Sequence, residues 1–275
     1  MRLAVSNLAW PRAEDEAVAD LFVALGVTGI EVAPTKVWPN PLTASQDEID
    51  AYRTFWNDRG IQIVAAQALL FGRPDLTLFE SADVRSQTIC YLSDLISRCT
   101  RLGAGRLVFG SPKNRRVGAT PPPEVRRIAV DVFRQLGDVA AKAGVCVVLE
   151  ANPPEYGADF ITRAADAIEL VDLVNHPGFQ LHLDTGCMTL AADPITTTIS
   201  VGFPSLRHFH ISEPNLDPPG TSGRVDHAGF AGELSRRGYG EWVSLEMRER
   251  NPFTLDQLAS AVRWVQERYT LRAAA

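Results

Sequence analysis

Short apolar runs, many of them β-branched, recur along the chain near Leu3 to Ser6, Gly29 to Ala33, Ile61 to Ala66, Arg106 to Phe109, Val145 to Glu150, Phe179 to Asp184, Arg207 to Ile211 and Trp242 to Glu246. Runs of this length, bounded by turn residues, predict eight buried strands. Between them the apolar positions switch to a helical period over Arg12–Leu25, Gln46–Arg59, Ser81–Leu102, Pro123–Ala143, Thr162–Val174, His227–Arg237 and Thr254–Tyr269. The segment Asp193–Val201 reads only weakly as a helix, because ITTTIS is rich in β-branched residues. Boundary chemistry agrees with this division: Pro121 to Pro123 open one helix, Thr254 is placed to cap the last, and Gly60, Gly103 and Gly144 close others just before strands.

Eight strand–helix units in 275 residues give roughly 34 residues each, the unit size of a (β/α)₈ barrel. A doubly wound open sheet would need a Gly-rich phosphate loop after the first strand, and Asn7-Leu8-Ala9-Trp10-Pro11 is not one. No linker or low-complexity stretch marks a second domain, so the expectation is a single α/β (TIM) barrel domain over residues 1–275.

Composition narrows the function classes. The 27 Lys and Arg against 33 Asp and Glu leave a net charge of −6 without a sustained basic block. Nucleic acid and membrane surfaces are therefore not expected partners. Cys90, Cys99, Cys146 and Cys187 form no CxxC pair, which excludes a zinc knuckle or dithiol centre. The N-terminal stretch MRLAVSNLAWPRAEDE reads neither as a signal peptide nor as a membrane span, so a cytoplasmic location is expected. A homo-oligomer is left open.

In a barrel, residues at the C-terminal ends of the strands share one mouth. Strand five ends VCVVLEAN at Glu150, strand six LHLDTG at Asp184, strand seven LRHFHISEP at His210 and strand eight WVSLEM at Glu246. Spacings of 34, 26 and 36 residues match successive barrel units rather than a local loop. Three carboxylates and an imidazole brought together need a cation among them, so these four are the expected metal ligands. Three oxygen donors with one nitrogen suit Mn²⁺ or Mg²⁺, with Co²⁺ and Zn²⁺ still open.

Further candidates follow from strand parity. Asn152 and Arg248 share the inward phase of Glu150 and Glu246, while His182 and His208 lie one layer below Asp184 and His210. Asn152, His182 and Arg248 are taken as candidate substrate contacts, as are Glu31 at the end of strand two and Glu213 three residues beyond His210. The Pro- and Gly-rich segment from Glu213 to Asp226 is expected to be a lid, and Trp10 and Trp38 either wall the mouth or pack beneath its loops.

The strings VVLEANP, LHLDTG, HFHISEP and GYGEWVSLEMR resemble the sugar phosphate isomerase/epimerase group of xylose-isomerase-like barrels. That resemblance implies a divalent metal on Glu150, Asp184, His210 and Glu246, with Glu150 and Glu246 as an acid/base pair. It implies no redox cofactor and a small sugar or cyclitol as the partner. Two positions depart from the ketose 3-epimerases of the group: Cys187 stands where many relatives have His, and Leu216 where they carry Arg. On a keto-sugar, such a site would stabilise an enediolate while the two carboxylates move a proton, giving epimerisation or isomerisation. Elimination of water from a keto-cyclitol or keto-sugar is the alternative outcome on the same site. Phosphodiester hydrolysis of the endonuclease IV kind and a non-catalytic sugar-binding barrel are the more distant readings.

Overall fold

The computed structural model describes residues 1–269; the last six residues of the expected 1–275 domain lie outside the described residues. Eight parallel strands close on themselves in sequence order, β1 (Arg2–Ser6), β2 (Gly29–Val32), β3 (Gln62–Ala66), β4 (Arg106–Phe109), β5 (Cys146–Glu150), β6 (Phe179–Asp184), β7 (Leu206–Ile211) and β8 (Trp242–Leu245), with β1 pairing both β2 and β8. Each expected strand is present, and the closed (β/α)₈ barrel follows from them. Nearly every strand residue is buried, as a parallel sheet covered by helices requires.

The helices are α1 (Asp15–Leu25), α2 (Pro34–Val37), α3 (Gln46–Asn57), α4 (Ala82–Leu102), α5 (Pro122–Lys142), α6 (Ala164–Val174), α7 (Thr185–Leu190), α8 (Ile195–Gly202), α9 (His227–Arg236) and α10 (Leu255–Arg268). The main core lies between their inner faces and the outer face of the barrel, around residues such as Phe22, Trp56, Phe133 and Phe179. Phe133 stacks on Phe179 with centroids 4.6 Å apart. Thr254 caps α10 through its side chain, and Gly103 closes α4 at φ 105°, a conformation that any Cβ would strain.

Three local outcomes differ from the pattern-based expectation. The segment expected to begin a helix at Arg12 first makes a 3₁₀ turn, and α1 starts at Asp15, whose carboxylate accepts the indole N–H of Trp10 at 2.7 Å. The ITTTIS run does form a helix, α8, because Thr198 and Ile199 are buried against neighbouring elements and packing outweighs intrinsic propensity. Finally, α2 and α7, of four and six residues, are too short to show a period. Among the described residues no helix is long and apolar enough to cross a membrane, and Cys90, Cys99, Cys146 and Cys187 are all free thiols.

The barrel interior is divided by chemistry. Its apolar residues form one cluster of Ala4, Val64, Ala65 and Trp242 and a second of Val108, Cys146 and Val148. Towards β6, β7 and β8 it holds His182, His208 and Ser244, all fully buried. Register pairing sets His182 beside His208 and Asp184 beside His210, and puts Ser244 beside His210. The strands themselves thus supply two polar layers, one above the other.

Candidate metal centre

Glu150, Asp184, His210 and Glu246 converge at the C-terminal end of the barrel. One potential ligand atom from each lies within 4.8 Å of the others. From His210 Nδ1 the carboxylate oxygens stand at 3.2 Å (Glu246 Oε2), 3.7 Å (Glu150 Oε1) and 3.9 Å (Asp184 Oδ2). Asp184 ends β6 and caps α7, its Oδ1 accepting the Cys187 N–H at 2.6 Å. The cap uses one carboxylate oxygen and turns the other, Oδ2, into the cluster. Asp184 Oδ2 and His210 Nδ1 are both buried without a hydrogen-bond partner, so the donor set fits a cation in a way that hydrogen bonding within the protein does not replace.

Electrostatics agree with that fit. Burial, reinforced by the charges of Glu150 and Glu246, pushes the Asp184 carboxyl up to about 7. Burial also raises Glu246, against the pull of His210. For His210 burial works the other way, but Glu31 and Glu246 outweigh it and hold the imidazole well above its usual value. Carboxylates that resist ionisation beside an imidazole that retains its proton are the signature of negative charge gathered without its counter-ion.

Glu150 is held from behind. Asn152 Nδ2 donates to Glu150 Oε2 at 2.8 Å, and Asn152 Oδ1 in turn accepts from Arg115 Nη2 at 3.1 Å. Arg115, fully buried, also donates to the backbone carbonyls of Glu150 and Ile161. Gly110, just past β4, makes room for this carboxylate: a Cβ there would stand 2.4 Å from Glu150 Oε2. Neither Arg115 nor Gly110 stands out in the sequence. Both lie beyond the end of β4, which carries no charge to point to the mouth.

The candidate substrate contacts are distributed less evenly than parity suggested. Asn152 lies at the cluster, on Glu150. Glu31 is completely buried below it, where its Oε2 accepts from both His208 Nε2 and His210 Nε2 at 3.0 Å. His182 is also fully buried, its ring beneath that of His210 with centroids 4.1 Å apart, and neither of its nitrogens has a hydrogen-bond partner. Burial, with His210 and His208 nearby, keeps it neutral by lowering its pKa well below the usual value. Glu213, expected to reach the cluster or substrate, instead turns into its own loop: it accepts from Gly220 N, from the Ser222 hydroxyl and from His227 Nε2. Arg248 is exposed, and its guanidinium donates to the Asn215 carbonyl rather than to Glu246.

The expected lid is therefore tied down on three sides. Glu213 and His227 hold it from below, Arg248 from the end of β8, and Tyr156 from the loop after β5, whose hydroxyl accepts the Asn215 N–H at 2.8 Å. Of the two tryptophans, Trp10 is fully buried against Phe22 and Trp56, and Trp38 packs edge-on against Tyr52 at 5.6 Å. Trp10 thus packs against α1 and α3, and the half-buried Trp38 against α3.

Comparison with known proteins agrees with the barrel. Over 233 residues the chain is 24% identical to a putative hydroxypyruvate isomerase of Streptomyces coelicolor, covering 82% of each. Over 149 residues it is 28% identical to the L-ribulose 3-epimerase of a Methylomonas species, a match spanning 53% of this chain and 48% of that protein, about half of its length. Among solved structures, D-psicose 3-epimerase from Clostridium cellulolyticum superposes with a TM-score of 0.81 over 97% of both chains at 19% identity. Residues 19–268 match the xylose isomerase-like TIM barrel family, and the chain belongs to that family.

Proposed function

We propose that this protein is a metal-dependent isomerase or epimerase of a keto-sugar, sugar derivative or cyclitol, in which Glu150 and Glu246 transfer the proton. One observation supports the reading above the others: within the four-donor cluster the side chains of Asp184 and His210 are closed off at 2% and 1% exposure, whereas those of Glu150 and Glu246 retain 12% and 13%. A cluster serving only to hold an ion has no need to leave two carboxylates open. The names of the relatives, epimerases and an isomerase of small sugars and hydroxy-ketones, support the same class.

A divalent ion on Glu150, Asp184, His210 and Glu246, Mn²⁺ being the best match to three oxygens and one nitrogen, would supply Lewis-acid polarisation of a substrate carbonyl. The chain's own residues do the rest. Glu150 and Glu246 come from β5 and the end of β8, separated around the barrel by β6 and β7 with Asp184 and His210. They therefore flank a substrate seated on the cluster, and one takes a proton from a carbon while the other returns it. Asn152 fixes Glu150 Oε2 and leaves Oε1 facing the cluster. Asp184 and His210, closed to solvent, position the ion and take no proton from substrate.

The decisive experiment is a single turnover in D₂O with Mn²⁺ and a panel of ketoses, inososes and 3-keto-glycosides. One deuterium at the inverted or isomerised carbon is expected, and Glu150→Gln and Glu246→Gln should each reduce turnover by about 10²–10⁴-fold. Product lacking solvent label would indicate a direct hydride shift and would remove both glutamates from proton transfer.

A further inference from the structure

Beneath the metal-binding layer, Glu31 is aimed at the histidines rather than at the mouth. Its Oε2 stands 3.0 Å from both His208 Nε2 and His210 Nε2, and its Oε1 lies 3.1 Å from His210 Nε2. All three side chains are at most 1% exposed. A carboxylate can only accept, so both facing nitrogens must carry hydrogen. His210 is thereby committed to Nε2–H, and its other nitrogen, Nδ1, is the one that faces Glu150, Asp184 and Glu246.

We propose that Glu31 is a positioning residue for the metal centre: by accepting from Nε2–H of His210 it dictates that this histidine ligates through Nδ1, and with His208 as a second donor it fixes the plane of the ring. The inference rests on the metal-dependent reading above and concerns how the site binds its ion, not which substrate it takes. It replaces the expectation that Glu31 contacts substrate. His208, held by the same carboxylate oxygen, acts as a brace: with two N–H donors converging on it, the carboxylate cannot swing towards the mouth. A hydrogen-bonded carboxylate behind an imidazole makes the ring a stronger donor as well as an oriented one, and loss of such a partner lowers metal affinity by about 10–100-fold.

The test uses the full chain stripped of metal and titrated calorimetrically with Mn²⁺. Glu31→Leu, which removes the acceptor, should weaken binding by about 10–100-fold. Glu31→Gln should fall between it and the unmodified chain, because an amide oxygen still accepts one N–H. Since the leucine variant could lose stability, the independent readout is ¹⁵N NMR of the histidine rings in the unmodified Zn²⁺-loaded chain, where His210 should show a protonated Nε2 and a metal-bound Nδ1. Equal affinity in Glu31→Leu, or His210 bound through Nε2, overturns the proposal while leaving the proposed function standing. An unmodified chain that binds no divalent ion at all overturns both, beginning with the proposed function.

Discussion

Arg115 is a guanidinium with no exposure, spending its donors on the Glu150 carbonyl, the Asn152 side chain and the Ile161 carbonyl. Burial lowers its pKa to about 10, against the pull of Glu150, so it stays charged at neutral pH and offsets part of the negative cluster. Replacing it with Met keeps the volume but strands three acceptors, each a loss of about 1–3 kcal/mol when left unsatisfied in the interior. Arg115→Met should therefore lower the unfolding free energy by at least about 2 kcal/mol, read from urea denaturation, and should reduce turnover further by freeing Glu150. An unchanged midpoint would show that the three acceptors find other donors. The contrast with the cluster explains what could be read from the sequence. Glu150, Asp184, His210 and Glu246 each follow an apolar strand that has no structural use for a charge. Arg115 sits in Lys113-Asn114-Arg115-Arg116, where Lys113 and Arg116 are exposed and only folding distinguishes the middle arginine.

Strand ends fix where these side chains can go, and the end of β4 does so by omission. At Gly110 a methyl group would collide with Glu150 Oε2 at 2.4 Å and press on Asn152 Oδ1 at 3.3 Å. Both obstacles are side-chain ends, so the strand can persist while the carboxylate is displaced. Gly110→Ala is expected to leave the thermal midpoint nearly unchanged and to lower turnover by about 10²-fold, the cost of roughly 1 Å of misplacement at the carboxylate proposed to transfer the proton. A large loss of stability with normal specific activity would refute a displacement of Glu150. At this scale the sequence showed the long elements and missed the short ones. The eight apolar runs and the helices with several turns have periods, whereas α2 and α7 span four and six residues. Yet α7 is what turns Asp184 Oδ2 into the cluster. Their places at the end of β2 and just past His210 ranked Glu31 and Glu213 as candidates near the mouth, but place in the sequence does not reveal partners: those of Glu31 lie on β7, across the barrel, and those of Glu213 in its own loop and at the start of α9.

For the whole molecule, the concentration of ionisable groups in a closed barrel links stability to pH, and the sign depends on the ion. In the metal-free chain His210 titrates well above its ordinary 6.5 and Asp184 at about 7 instead of 3.8. Both raised values mean that the folded state binds protons the unfolded chain has released. Their stabilisation is present at low pH and is lost as pH rises, through about 7 for Asp184 and from 6.5 upward for His210. His182 and His227, lowered by burial, act in the opposite direction, but only below 6.5, and Glu31 only below 4.5. Above pH 6.5 these opposing groups are silent. In chelator, the urea midpoint should therefore fall as pH rises above 6.5, with a slope of up to about a kcal/mol per pH unit for each proton. His210→Gln should remove most of that slope. With saturating Mn²⁺ the trend should vanish or reverse, because binding expels the same protons and is favoured as pH rises, and because an ion held only by the folded state stabilises it by mass action. A chelated chain whose midpoint is flat or climbs over this range would mean that the cluster is not an uncompensated pool of negative charge, and a cation among Glu150, Asp184, His210 and Glu246 would lose its electrostatic support.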